Sequence, residues 1–94
     1  MLMAMPRVQF TQHLSRFFPD LADEHVEGAT VAELLSALEA RHPGLRAYLV
    51  DERGALRPHV NIFVGERTVR DRRSLSDAVD EAASVYVLQA LSGG

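Results

Sequence analysis

The chain has 94 residues, of which 47% are hydrophobic, and its formal net charge is −3. This length and composition suit one globular domain around a single modest core and exclude a disordered chain. No apolar stretch approaches the roughly 20 residues of a membrane-spanning helix, so the sequence predicts no membrane partner. The mild negative charge also argues against nucleic acid as a partner.

Two absent residue types restrict the chemistry of the chain. It has no Cys, which excludes an iron–sulfur cluster, a thiolate zinc site and a persulfide on this chain. It has no Lys either, because all ten basic residues are Arg, so it offers no side-chain amine for amide conjugation. Without a cysteine or a recognisable secretory signal, we expect the protein to be cytoplasmic.

The N-terminal third contains two short predicted strands. Residues 1–6 are predicted to be a loose leader, and the alternation of residues 8–11 predicts a first strand with one buried face. A second short strand is predicted over residues 24–27. Between the strands the pattern of residues 13–20 is ambiguous, and residues 17–19, two phenylalanines and a proline, are expected to plug into the core.

The strongest helical signal begins at Thr30. Glu33 follows by three residues, the spacing of a capping box in which each side chain binds a backbone N–H of the first turn. Apolar residues then recur with helical spacing on one face, at Val31, Leu34, Leu35 and Leu38. The helix is expected to end near His42, because Pro43 disfavours a helical residue before it. Residues 45–50 are predicted to form a further short helical turn.

The second half of the chain predicts three more strands. Residues 60–64 are an apolar run typical of a strand, and a glycine turn then returns the chain through residues 67–70. In the polar connection that follows, Leu75 and Val79 are the evident apolar anchors. Residues 84–91 are predicted to form the last strand.

The order of these elements predicts the fold class. One amphipathic helix facing a mixed sheet of four or five strands is a two-layer α+β domain. If the first two strands pair and the helix crosses over, the first and last strands can lie side by side, as in the β-grasp or ubiquitin-like fold. We therefore predict a β-grasp domain over residues 7–90, followed by a flexible tail, residues 91–94, that projects beyond a central strand.

The predicted tail ends on Gly93 and Gly94. Two residues without Cβ atoms make a thin segment that can enter a narrow channel in another protein. Gly94 carries the α-carboxylate, which ATP can convert to an acyl-adenylate for attack by a sulfur or nitrogen nucleophile. The alternative is a frayed terminus without a chemical role.

Other candidate sites are weaker in the sequence. The four histidines show no ligand-like spacing, so no metal site is predicted. Asp77, Asp80 and Glu81 are interpreted as a solvated acidic loop, because nothing indicates a pocket that would make them catalytic carboxylates. A local basic cluster consists of Arg67, Arg70, Arg72 and Arg73. It lacks interleaved aromatic residues for base stacking and is predicted to be a solvated or partner-docking surface.

Three segments together carry a family resemblance. Residues 30–45 contain the helix and a Pro-Gly exit, residues 60–65 a strand and turn, and residues 85–94 the last strand and the Gly-Gly tail. These segments resemble the small sulfur-carrier family, the MoaD/ThiS family of ubiquitin-like proteins. The chain departs from the family pattern in residues 77–83, a longer turn without glycine, and at residues 90–91, where the family commonly has Pro or Val.

The resemblance implies a defined chemistry at Gly94. A ubiquitin-activating-type adenylating enzyme would activate the carboxylate with ATP and magnesium, which that enzyme binds, so that this chain itself holds no cofactor. A sulfur donor would then displace AMP and leave a C-terminal thiocarboxylate, which passes its sulfur to an acceptor synthase. The chain would accordingly be a carrier and not an enzyme.

The resemblance also implies recognition residues. Gly93 keeps the approach to the carboxylate unhindered, and the partner's channel would read Ser92 and Leu91, of which Leu91 is the better apolar anchor. The exposed sheet face, including Phe63, would dock the partner, although an aromatic residue at that position also suits a core.

Several functions share this fold and this tail. Within the family, the chain length and residues 56–64 are most similar to the carrier that supplies a cysteine synthase. The small subunit of molybdopterin synthase and the thiamine sulfur carrier are the alternatives. There are two alternatives to a sulfur carrier. One is a protein modifier joined through Gly94 to lysines of other proteins, and the other is an interaction module with an inert tail.

Overall fold

The computed structural model describes residues 5–80 and 84–89 of the chain, and the predicted tail lies outside them. The described elements in chain order are β1 (Arg7–Phe10), α1 (Gln12–Ser15), β2 (Glu24–His25), α2 (Val31–Arg41), α3 (Leu45–Leu49), β3 (Val60–Val64), β4 (Arg67–Thr68) and β5 (Ser84–Gln89). None of the described helices is long and apolar enough to cross a membrane.

The strands form one mixed sheet in the order β2-β1-β5-β3-β4. β1 and β5 run parallel, with Val8 opposite Val85 and Phe10 opposite Val87. On its other side β5 is antiparallel to β3, and the edge strands β2 and β4 are antiparallel to their neighbours. This is the predicted α+β, ubiquitin-like β-grasp topology, in which the last strand lies between the first and third strands.

α2 begins at the predicted capping box, with one difference. The Thr30 hydroxyl accepts a hydrogen bond from the Glu33 N–H at 3.2 Å, as predicted. The Glu33 carboxylate, however, accepts from the N–H of Ala29 at 3.0 Å, one residue before the N-cap. The helix ends at Arg41 with His42 as its C-cap, where Pro43 was expected to stop it.

The core lies between the sheet and helices α2 and α3. The buried face of α2 consists of the four predicted residues, Val31, Leu34, Leu35 and Leu38. They meet the inward-facing side chains of the three central strands, Val8, Val60, Ile62, Val85 and Val87. Each such side chain contributes about 1.5–3 kcal/mol when it is fully buried.

The connection between β4 and β5 packs against the start of α2. Its predicted anchors Leu75 and Val79 are buried, and Leu75 adopts a left-handed φ of 55°. The N–H groups of Val31 and Ala32 in the first turn of α2 donate to the carbonyls of Asp77 and Leu75, at 3.0 Å and 2.9 Å. The connection thus supplies partners for helix N–H groups that have none within α2.

The N-terminal third differs from the prediction in three respects. Residues 12–15 form α1, in a stretch whose pattern was ambiguous. Phe17 does not plug into the core, because 56% of its surface is exposed, whereas Phe18 does pack against the core. Pro6, which the sequence placed in the leader, is buried, and its carbonyl accepts from the Val26 N–H at 3.0 Å. Among the described residues, the contacts of the domain therefore include a residue that was predicted to belong to the leader.

Both edge strands are shorter than predicted. β2 covers only Glu24–His25: the Val26 N–H still donates to Pro6 in the same register, but proline has no N–H with which to return a bond. β4 covers only Arg67–Thr68: the Val69 N–H still donates to the Ile62 carbonyl at 2.8 Å, but the Asp71 N–H, the next in this register, donates to the Asp77 carboxylate at 2.8 Å.

Candidate functional site

The predicted tail follows directly from the central strand of the sheet. The residues predicted for recognition, Leu91, Ser92 and Gly93, and the residue predicted to react, Gly94, lie outside the described residues. The site is therefore described from its base at Gln89, the last residue of β5, which lies opposite Val60 of β3. Among the described residues β1 pairs with β5 only as far as Val87, so this base is held by its pairing with β3.

The side chain of Gln89 also ties the strand to the helical layer. Within β5, Val85 and Val87 point into the core, so strand alternation places Gln89 on the same, helix-facing side. Its Nε2 donates a hydrogen bond to the Tyr48 hydroxyl of α3 at 3.1 Å. Its Oε1 atom is buried and has no hydrogen-bond partner among the described residues.

Arg72 binds the start of β3, the strand that pairs with Gln89. Its Nη2 donates to the carbonyls of Val60 and Arg57, each at 2.8 Å, and its own carbonyl accepts from the Leu56 N–H at 2.8 Å. We refer to Gln89, Val60, Tyr48 and Arg72 as the tail root. An open groove of about 340 Å³ lies beside it, lined in part by Leu88, Gln89 and Arg72. Sequence reasoning missed Tyr48 and Arg72, because their partners are distant in the chain.

Phe63 lies on the outer face of the sheet and not in the core. In β3 it alternates with the buried Ile62, and it pairs with Tyr86 of β5 and Thr68 of β4. Phe63 is half-buried and Tyr86 is 37% exposed, so their rings form an apolar area that includes Leu88 two residues further along β5. The sequence analysis missed Tyr86 and Leu88, which the same two-residue period could have identified.

The loop before the last strand is organised by two carboxylates. Asp71 accepts hydrogen bonds from the Ser76 hydroxyl and from backbone N–H groups, including those of Ser74 and Arg73, and these bonds lower the pKa of Asp71. Asp77 accepts from the N–H groups of Arg70 and Asp71. The bond from Arg70 is the main cause of the lowered pKa of Asp77. These carboxylates hold backbone in place, consistent with a structural loop.

The basic cluster divides into two parts. Arg67, Arg70 and Arg73 are exposed. Arg72 is half-buried, and its Nη2 already donates to two backbone carbonyls at the tail root. Only three of the four predicted arginines are therefore available to a solvated or partner-docking surface. Within residues 5–80 and 84–89, no group of three or more His, Cys, Asp or Glu residues is arranged to hold a metal ion.

A mixed sheet on one main helix, with a central strand that leads into the tail, defines a ubiquitin-like β-grasp domain. More specifically, the chain belongs to the ThiS family, which matches residues 8–94.

Individual relatives carry two kinds of name. Small archaeal modifier protein 3 of Haloferax volcanii is 34% identical over 68 residues, covering 72% of this chain and 73% of that protein. Sulfur carrier protein CysO of Mycobacterium tuberculosis is 36% identical over 69 residues, covering 71% and 74%. A chain in the crystal structure of the Amycolatopsis orientalis BexX/CysO complex matches with a TM-score of 0.80 at 30% identity, covering 94% of this chain and 98% of that one.

Proposed function

We propose that the chain is a sulfur carrier whose Gly94 carboxylate is adenylated and then converted to a thiocarboxylate. The observation that carries this proposal is the match to the ThiS family, which runs through Gly93 and Gly94. The similarity to CysO, a protein named as a sulfur carrier, supports it further. The tail root supports it physically, because it holds Gln89, the last described residue before the predicted tail, by strand pairing and by a side-chain hydrogen bond.

The proposed reaction has two steps. A carboxylate oxygen of Gly94 attacks the α-phosphorus of ATP, and pyrophosphate leaves. A hydrosulfide then attacks the acyl carbon and AMP leaves, so that one oxygen atom is replaced by one sulfur atom. The adenylating enzyme binds ATP and magnesium and supplies the catalytic groups. This chain contributes the carboxylate, and Gly93 keeps its approach free of side chains.

Recognition is proposed at two places. Leu91 and Ser92 enter the partner's channel, with Leu91 as the apolar anchor. The outer face of the sheet, centred on Phe63, docks against the body of the partner. Phe63 suits this role because it lies on the side of the sheet away from α2, next to the exposed ring of Tyr86, where an aromatic residue contributes little to the core.

Within the family we favour a carrier that supplies a cysteine synthase, over the molybdopterin synthase subunit and the thiamine carrier. This choice rests on the chain length and residues 56–64, and the relatives named sulfur carrier protein CysO support the carrier function itself. The second candidate function is a protein modifier conjugated through Gly94, and its support is the 34% identity to a small archaeal modifier protein. An inert interaction module is the third candidate.

Intact-mass measurement separates these functions. The protein is incubated with each ubiquitin-activating-type enzyme of its source genome, ATP, magnesium and sulfide, and an identical sample lacks ATP. A carrier gains the mass difference between one sulfur and one oxygen atom, only when ATP is present. Adducts on lysines of other proteins instead identify a modifier. If the mass does not change with any of these enzymes, the carrier function is contradicted and the inert interaction module is supported.

A further inference from the structure

Phe17 is an exposed aromatic residue at an unusual place. It lies in the connection between β1 and β2, and 56% of its surface is exposed. Its ring packs against Tyr48 with a centroid distance of 5.3 Å and an interplanar angle of 36°. Its neighbour Phe18 meets the same ring edge-on at 6.0 Å and packs against the core. Phe18 thus supplies the core contact, and Phe17 is an exposed large apolar residue beside it.

Tyr48 connects Phe17 to the tail root. The same tyrosine accepts the hydrogen bond from Gln89, the residue from which the tail extends. Phe17 therefore lies on the helix-facing side of the tail root, whereas Phe63 and Leu88 lie on the outer side of the sheet. Apolar surface accordingly flanks the base of the tail on both sides.

The length of the tail limits where its partner can lie. Residues 90–94 span at most about 17 Å when fully extended. An enzyme that encloses the Gly94 carboxylate must therefore cover the surface around Gln89, and a channel that surrounds the tail must have walls on both sides of it. The wall on the helix-facing side meets Phe17 and Tyr48.

We propose that Phe17, supported by Tyr48, is a docking residue for the adenylating enzyme, on the opposite side of the tail from Phe63. This inference rests on the proposed function. The adenylating enzyme is the occupant because a carrier and a modifier both begin with activation of the same carboxylate. A solvent-facing aromatic ring beside a fixed point of attachment is the kind of residue that contributes strongly to a protein interface.

The test compares activation kinetics of three variants with the full chain. Phe17→Ser removes the ring, and Phe17→Leu keeps an apolar side chain. Met5→Ser is the matched control, because Met5 is also an exposed apolar residue, 43% exposed, but lies at the opposite end of β1 from the tail root. ATP–pyrophosphate exchange by the adenylating enzyme gives KM and kcat for each protein, and urea denaturation verifies folding.

Phe17→Ser is expected to raise KM for the chain about tenfold with kcat within about twofold, and Phe17→Leu to recover most of the loss. Met5→Ser is expected to match the wild type. If Phe17→Ser matches Met5→Ser, whether both leave KM unchanged or both raise it, the docking role of Phe17 is wrong although activation stands. If the wild type supports no exchange with any such enzyme of the genome, the proposed function fails, and the role of Phe17 fails with it.

Discussion

The side chains of Gln89 and Tyr48 meet in a hydrogen bond of 3.1 Å, across 41 residues of sequence. Gln89 ends the central strand and Tyr48 belongs to the short helix α3, so this bond joins the sheet to the helical layer where the tail begins. Because backbone pairing with Val60 holds the same residue from the side, the tail starts from a fixed point.

Tyr48→Phe tests this bond. The substitution removes one hydroxyl and leaves the Gln89 amide without its acceptor, while the Gln89 Oε1 is already unpaired. We expect a loss of about 1 kcal/mol in the free energy of unfolding, measured by urea denaturation. Tyr86→Phe, which removes an exposed hydroxyl on the outer face, is the matched control and is expected to change stability by less than about 0.5 kcal/mol. Equal stabilities for the two variants contradict the importance of the bond.

The elements with a repeating pattern were predicted correctly. The spacing of Leu34, Leu35 and Leu38 identified α2, and the apolar runs identified β3 and β5, because in each case burial of one face imposes a period on the sequence. Four-residue α1 is too short to show a period. Phe17 and Phe18 are adjacent apolar residues, and only the packing of Tyr48 decides which of them is buried.

The site was predictable only in part. The Gly-Gly tail stands out in the sequence by its composition and stays a prediction, whereas the position of Phe63 on the outer face follows from its alternation with the buried Ile62. The residues that hold the tail root have neither a distinctive composition nor a periodic pattern in the sequence. Arg72 resembles its neighbours Arg70 and Arg73, and only the folded chain brings it to the carbonyls of Val60 and Arg57.

Leu38→Ala tests the packing of α2 on the sheet. Leu38 is 1% exposed, so the substitution removes buried methyl groups and leaves a cavity, at an expected cost of about 2–5 kcal/mol in the free energy of unfolding. Leu34→Ala is expected to behave in the same way. Ser36→Ala, on the exposed face of the same helix, is expected to stay within about 0.5 kcal/mol of the wild type. Unchanged stability in both leucine variants overturns the helix-on-sheet core.

The lowered pKa of Asp71 predicts that the loop before β5 is less stable in acid. This pKa is lowered by the bonds from Ser76 and the loop backbone, so the unfolded chain takes up a proton at higher pH than the folded one. The stability that Asp71 contributes is thus fully present above the unfolded pKa of about 3.9 and is lost as pH falls through the folded value. Asp71→Asn is expected to lower stability at neutral pH and to flatten its decline below about pH 4.

The measurement is thermal unfolding followed between neutral and strongly acidic pH. The exposed Glu52 is the control, because Glu52→Gln also removes one negative charge but leaves the loop before β5 unaltered. If the stability of the Asp71 variant falls as steeply with pH below about pH 4 as that of the wild type, this carboxylate does not hold the loop.

Phe63→Ser tests the outer face as a docking surface. The ring lies on the side of the sheet away from α2, so its removal is expected to weaken binding to the adenylating enzyme, with a several-fold rise in KM and a nearly constant kcat. Phe63→Leu is expected to restore most of the affinity. Thr68→Ser, at the position paired with Phe63 on β4, serves as a control on the same face. A fall in kcat with KM unchanged excludes docking as the role of Phe63.

The proposed reactive group is tested most directly by changes beyond β5. Deletion of Gly94, or addition of one residue after it, moves the carboxylate along the partner's channel by one residue, about 3.5 Å, which is enough to misplace it for attack on ATP. Both variants are expected to lose thiocarboxylate formation by intact mass and to unfold in urea like the wild type, because neither change touches the described fold. Ser92→Ala, which keeps the tail length and the carboxylate, is expected to remain active. Thiocarboxylate formation on the shortened or lengthened chain shows that the carboxylate of Gly94 is not the group that the enzyme selects.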